Sequence, residues 1–420
     1  MKKIKSILIA ATIILGLVAC QETKRIGWTA HALDIASYQL KQTASALEDT
    51  VMMPRSTWTF HDDGFLVSQL GHANIESDDP EEVYSVEHLK GQRRDCPIND
   101  WTSGFFPGSL WYAYELTGDE ELKKQAVRYT NILYPIRALA GTHDLGFMIN
   151  CSYGNALRLA HNDTIAAVIA ETADALYKRF DPNIGCIRSW DFGSWNYPVI
   201  IDNMMNLELL FEATKLSGDS TFYNVAKKHA DTTMANHFRA DNSCYHVVDY
   251  DPETGEVRKK QTAQGYADES SWARGQAWAL YGYTMCYRYT HDAKYLAQAE
   301  KVYNFIFGNK NLPEDLVPYW DFDAPKIPNE PRDASAAACT ASALYELSTY
   351  VTDKGYKETA DRIMESLASP AYRAEVGTNG NFILMHSVGS IPHGAEIDVP
   401  LNYADYYFLE ALKRKRDLEK

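Results

Sequence analysis

Two carboxylates stand where they could move a proton. Asp144 lies in Thr142-His143-Asp144-Leu145-Gly146-Phe147-Met148, and Asp202 in Ile200-Ile201-Asp202-Asn203-Met204-Met205-Asn206-Leu207. Each opens an apolar, helix-like run with no Lys or Arg beside it in sequence. Burial away from cations raises a carboxyl pKa and lets the group hold or pass a proton near neutral pH. Two such groups make a candidate acid/base pair. The competing reading is that both cap helices, as Asp commonly does. At Asp202 that reading lacks its companion, because position 205 is Met and not the Glu or Gln of a capping box.

Other polar groups gather at presumptive helix starts. Asp202 and Asn206 are four apart and share a helix face. The stretch Gln264-Gly-Tyr-Ala-Asp-Glu-Ser-Ser-Trp-Ala-Arg274-Gly-Gln-Ala-Trp278 spaces Arg274 and Trp278 in the same way, a cation beside a flat apolar ring, as sugar and uronate sites require. Against this, Arg274 could pair with Asp268 or Glu269 while Trp278 fills the core. Trp101, in Asn99-Asp-Trp-Thr-Ser-Gly-Phe-Phe-Pro-Gly108, together with Trp190 and Trp195 on a Gly-containing loop, could stack on a ring or simply pack. His246 sits in a short alternating strand, Cys244-Tyr-His-Val-Val-Asp249, as a donor to a sugar hydroxyl or as a satisfied core residue. The sequence has no G-x-S-x-G, G-x-G-x-x-G, P-loop Lys or H-E-x-x-H, which argues against hydride transfer, phosphoryl transfer and zinc hydrolysis.

The elements that must position these residues are helical. An apolar-faced helix, a short turn with Asp and an amphipathic helix recur around Asp119, Asp163, Asp219, Asp292 and Asp353. The pattern predicts twelve helices, at 28–49, 103–118, 120–137, 147–161, 163–179, 201–217, 219–237, 272–290, 292–308, 333–351, 354–368 and 401–414. Alternating inner and outer members would close into an all-α (α/α)6 toroid of six hairpins, with an open superhelix as the runner-up. Long loops at 51–100, 181–200, 239–271 and 309–332 would form the cleft.

The chain opens with Lys2, Lys3 and Lys5, an apolar run from Ile7 to Ala19, and Leu17-Val18-Ala19-Cys20. This predicts a bacterial lipoprotein signal peptide over 1–19 and lipidation at Cys20. A single domain over 20–420 would then be tethered to a membrane, on the periplasmic side or the cell surface. At 45% hydrophobic and 12% aromatic residues, the chain can fill a large core. The net charge of −15, more negative once the leader is removed, argues against nucleic acid and requires an anionic substrate to be caught by local donors. The remaining cysteines have no metal spacing, and Cys286 and Cys339 read as buried thiols.

Taken together, Asp100-Trp-Thr-Ser-Gly-Phe-Phe, His143-Asp-Leu-Gly-Phe, Ile201-Asp-Asn-Met-Met-Asn-Leu, the Gln264–Trp278 stretch and Asp405-Tyr-Tyr-Phe-Leu-Glu-Ala-Leu412 resemble the unsaturated glucuronyl hydrolases, glycoside hydrolase family 88. The resemblance implies an (α/α)6 barrel, Asp202 as general acid/base and Asp144 as its carboxylate partner. It implies substrate contacts from His246, Gln264, Arg274 and Trp278, stacking by Trp190 and Trp101, and a uronate-holding loop with Ser387 and Ser390. The implied reaction hydrates the C4=C5 vinyl ether of an unsaturated uronyl residue on a lyase-cut oligosaccharide, and needs neither metal nor organic cofactor. The alternatives are an unsaturated rhamnogalacturonyl hydrolase and a non-catalytic glycan-binding lipoprotein. A sugar epimerase of the same fold would need a His acid/base pair that the sequence does not offer.

Overall fold

The Asp markers that punctuate the sequence are mostly helix caps. A computed structural model describes residues 27–58 and 91–420, and the leader and Cys20 lie outside them. The first hairpins use α1 (27–46), α2 (Phe105–Thr117), α3 (Glu120–Ile132), α4, which is π-helical over Gly146–Gly154 and α-helical over Asn155–Ala160, and α5 (Asp163–Tyr177). The rest use α6 (Asn203–Ser217), α7 (Ser220–Asn236), α8 (Ala273–Thr290), α9 (Ala293–Gly308), α10 (Ala334–Tyr350), α11 (Tyr356–Leu367) and α12 (Asn402–Leu418). Asp119, Asn162, Asp219 and Asp292 accept backbone N–H groups at the starts of α3, α5, α7 and α9. Asp353 does not cap α11, whose start is Gly355 in the left-handed conformation.

The even-numbered helices form a closed inner ring in which α2, α4, α6, α8, α10 and α12 each pack on the next and α12 returns to α2. The open superhelix is thereby excluded. Inner helices are buried on every side, as over Ala273–Cys286 of α8 and Ala334–Leu347 of α10, whereas outer helices such as α11 keep a polar face. Small residues permit the crossings: a Cβ on Gly282 would lie 2.5 Å from Met204 Cβ. All six described cysteines are buried free thiols.

Two features depart from the helical reading. Gly146–Gly154 winds as a π-helix because α4 presses on α6: a Cβ on Gly146 would meet the Asn206 Cα at 2.5 Å, and Asn206 Oδ1 accepts the Phe147 amide at 2.9 Å. The connecting loops also carry short antiparallel strands: β1 (Met53–Thr57) with β2 (Arg93–Cys96), β3 (Phe180–Asp181) with β4 (Cys186–Ile187), and β5 (Pro198–Ile200), β6 (Val247–Tyr250) and β7 (Val257–Gln261) in that order. The last pair is β8 (Ser387–Ser390) with β9 (Ala395–Val399). Of these strands only β6 has a sequence signal, in the alternating Cys244–Asp249 segment; the observed strand begins one residue after His246, and β5 and β6 are buried on both faces.

The far end of the ring, at the C-terminal ends of the inner helices, holds a cavity of about 800 Å³. Its charged residues are paired with one another. Arg288 binds Glu346 through two contacts of 2.7 and 2.8 Å and also pairs with Glu208, while Arg414 reaches Glu346 at 3.0 Å. The two arginines hold the Glu346 carboxyl down at about 2 against the effect of burial. Arg288→Ala would leave Glu208 without its arginine and Glu346 with Arg414 alone, and should cost about 3 kcal/mol, read as a fall in melting temperature.

Candidate active site

The opposite end, at the N-termini of the inner helices, brings the sequence candidates together. The β5 strand delivers Asp202 to the cap position just before α6, and the β5–β6 pairing puts His246 beside it, with the Ile201 amide donating to the His246 carbonyl at 3.0 Å. Asp202 stands at the cap position yet its side chain caps nothing. It is 7% exposed. Burial pushes its pKa up to about 7; Arg274 opposes this, the Asp144 charge adds to it, and the Trp278 indole N–H opposes it.

Asp144 enters at the head of α4. Thr142 Oγ1 donates to its Oδ2 at 2.7 Å, and His143 Nε2 lies 3.3 Å from its Oδ1. Burial lowers the pKa of His143, so that imidazole is neutral at pH 7. The Phe147 amide's bond to Asn206 Oδ1 ties the start of α4 to the start of α6, and the Asp144 charge is near enough to act on Asp202.

His246 is likewise neutral, held at about 3 chiefly by burial. Its Nδ1 accepts the Ala263 and Gln264 amides at 3.1 and 3.2 Å. An imidazole that accepts at Nδ1 carries its proton on Nε2, and that Nε2–H faces Asp202 Oδ2 at 3.6 Å. Gln264 is thus tied to the site through its own backbone and is half-buried on the β7–α8 loop.

Arg274 is engaged more deeply than a surface contact would be. It is 1% exposed, Nη1 binds Asp333 Oδ2 at 3.2 Å and the Val388 carbonyl, and Nη2 donates to the Gly389 carbonyl at 2.8 Å. It therefore clamps the β8–β9 hairpin, and neither Asp268 nor Glu269 is its partner: the Asp268 carboxyl accepts the Thr262 amide and Glu269 faces Arg239. The flat ring beside this cation is Trp272, at 4.4 Å, and not Trp278. Trp278 is fully buried between Phe147 and Tyr407 and forms the floor beneath Asp202.

The remaining candidates line the walls. Trp101 is half-buried against Phe105, Phe147 and Tyr403. Trp190 is half-buried at the rim, its backbone bridged to Thr142. Ser387 is buried on β8, and Ser390 Oγ contacts His393 Nδ1 at 2.6 Å. Among the described residues, Asp202 Oδ2, His246 Nε2, Trp278 Nε1, Ser387 Oγ and Tyr403 OH are buried polar atoms with no partner at hydrogen-bonding distance and angle. A polyhydroxylated, carboxylated ligand would satisfy such a set.

The sequence reading missed the supports of the hairpin. Glu396 binds Arg55 at 2.6 Å and pairs with Arg94, and Arg55 also pairs with Asp100. Asp333 both caps α10 and receives Arg274. Only the cap had a local signal, in Asp333-Ala-Ser335.

Residues 80–417 match Glycosyl Hydrolase Family 88, and residues 1–72 match a domain of unknown function. The chain belongs to glycosyl hydrolase family 88. An unsaturated glucuronyl hydrolase of Formosa agariphila is 52% identical over 325 residues, covering 77% of this chain and 81% of that protein. An unsaturated chondroitin disaccharide hydrolase of Streptococcus agalactiae is 35% identical over 327 residues, covering 75% and 81%. The crystal structure of an unsaturated glucuronyl hydrolase specific for heparin superposes with a TM-score of 0.84 at 45% identity, covering 93% of this chain and 98% of that one. As a family 88 member the protein is a glycoside hydrolase, and the (α/α)6 ring is the scaffold shared with these enzymes. Among the described residues, no group of three or more His, Cys, Asp or Glu side chains converges as a metal-binding set.

Proposed function

We propose that the protein is an unsaturated glucuronyl hydrolase acting on glycosaminoglycan fragments left by a polysaccharide lyase. What carries this reading is Asp202: a carboxyl buried at a helix start, uncommitted to capping, beside a second carboxylate and poised to be protonated at neutral pH. The lyase product ends in a uronyl ring whose C4=C5 double bond is a vinyl ether. Asp202 gives its proton to C4, and the π electrons form the new C4–H bond while positive charge develops at C5 and the ring oxygen. Asp144 stabilises that cation through its charge. Water adds at C5 and returns a proton to the Asp202 carboxylate. The hemiketal opens, and the neighbouring sugar leaves from C1. One acid/base suffices because protonation precedes water attack, unlike the two-carboxylate displacement of ordinary glycosidases.

Neutral His246 directs an N–H toward one carboxyl oxygen of Asp202 without adding a charge that would strip its proton. Arg274, by holding the β8–β9 hairpin, places Ser387 and Ser390 to face the uronate carboxylate. The lipid anchor at Cys20 completes the proposal: the enzyme is tethered to a bacterial membrane, facing the periplasm or the cell surface. The support is the basic start, the apolar run and the Leu-Val-Ala-Cys segment.

Lyase-treated chondroitin and heparin should lose their ultraviolet absorbance with the enzyme, while lyase-treated rhamnogalacturonan should not; the reverse preference would overturn the substrate class. Because Asp202 must start protonated, kcat/KM should fall as pH rises through about 7. A profile flat across that pH would remove Asp202 as the proton donor.

A further inference from the structure

The rim beside Asp144 carries an aromatic stack that the chemistry at the unsaturated ring does not use. Phe192 is 68% exposed, more than any other large apolar side chain among the described residues. It is not loose. Its ring lies on Trp190 at 5.2 Å and 15°, and Trp190 meets Trp195 edge-on, also at 5.2 Å. Trp195 Nε1 donates to Gln261 Oε1 on β7 at 3.2 Å. Arg179 grips both oxygens of Asp191 at 2.9 and 3.1 Å, and Gly193, at φ +80°, packs so closely on Trp195 that a Cβ would lie 2.5 Å from its ring. A chain that could bury Phe192 instead holds it in water on a rigid base.

The stack also lies on the way out of the site. Side-chain exposure rises from 10% at Asp202 to 19% at Asp144, and Phe192 as a whole residue is 68% exposed. Trp190 is bridged directly to Thr142, two residues before Asp144, and it spends one ring face on Phe192. The Thr142–Trp190 bridge and the Trp190–Phe192 stack thus put the Phe192 ring one aromatic ring farther along the wall than Trp190, the residue that adjoins the Asp144 segment.

Resting on the activity proposed above, we infer that Phe192 is a stacking platform for the second sugar beyond the scissile linkage, and so selects unsaturated oligosaccharides longer than a disaccharide. The ligand it takes is the apolar C–H face of a pyranose in the leaving portion.

The test compares an unsaturated disaccharide with the unsaturated tetrasaccharide of the same glycan. Phe192→Ala should lower the tetrasaccharide-to-disaccharide ratio of kcat/KM about 5- to 10-fold, through KM and with tetrasaccharide kcat retained. Phe192→Tyr, which keeps the flat ring, should restore the ratio. An unchanged ratio in Phe192→Ala at an unaltered melting temperature would overturn the platform. If the unsubstituted enzyme turns over neither substrate, the proposed activity fails by itself. The platform is then judged by titrating the tetrasaccharide against the unsubstituted protein and Phe192→Ala, where equal affinity would overturn it.

Discussion

Asp202→Asn is expected to stop the absorbance loss that accompanies turnover of an unsaturated disaccharide, a fall in kcat of roughly 10³-fold or more. The amide is nearly the same shape, and the native carboxyl makes no capping bond that the substitution would break. It cannot donate a proton to carbon, however, and it cannot take one back from water. The fold should survive, and stability supplies a second readout. Burial raises the folded-state pKa of Asp202 from 3.8 to about 7, so its contribution is fully present below about pH 4 and is lost as pH rises through 7, where the ionised group is buried at a cost. The amide that replaces it does not titrate. The melting temperature of the variant should therefore rise relative to that of the unsubstituted enzyme between pH 4 and 7. Near-normal turnover in the variant would remove Asp202 from the chemistry, whatever the melting curves show.

What could be read from sequence was what local chemistry decides. Asp119, Asp219 and Asp292 cap the helices they precede, because a short acceptor beside orphan amides acts within one turn. The alternation of all-round apolar helices with amphipathic ones is likewise written in each segment, and it led to the closed ring. Asp202 and Asp144 could be singled out because nothing near them in sequence neutralises them. The features that stayed hidden depend on distant partners. Arg274 finds Asp333 and the carbonyls of Val388 and Gly389, none of them near it in the chain. The i,i+4 rule offered Trp278 as its flat neighbour, whereas an extended turn at the helix start swings Trp272 under the guanidinium. The π-helix of α4 has no local cause; it follows from how tightly Gly146 meets Asn206. The Glu396 cluster joins β1, β2 and β9 across most of the chain length.

Asp144→Asn should separate charge from proton transfer. The substitution leaves a side chain that can still accept the Thr142 hydroxyl and face His143, so the head of α4 should stay in place. It removes the negative charge that would stabilise the developing cation, and kcat is expected to fall about 10²-fold with KM little changed. It also removes one of the two influences that raise the pKa of Asp202, the other being burial. With that charge gone, Asp202 holds its proton less tightly, and the alkaline limb of the pH–rate profile should move to lower pH. This displacement is what distinguishes an electrostatic partner from a structural one. A residue that merely anchored the loop would, when replaced by Asn, leave both kcat and the limb where they were, and that result would return Asp144 to the role of a helix-start residue. A fall in kcat with a displaced limb and an intact melting temperature would instead tie the two carboxylates into one titrating unit, with Asp202 carrying the proton and Asp144 setting how firmly it is held.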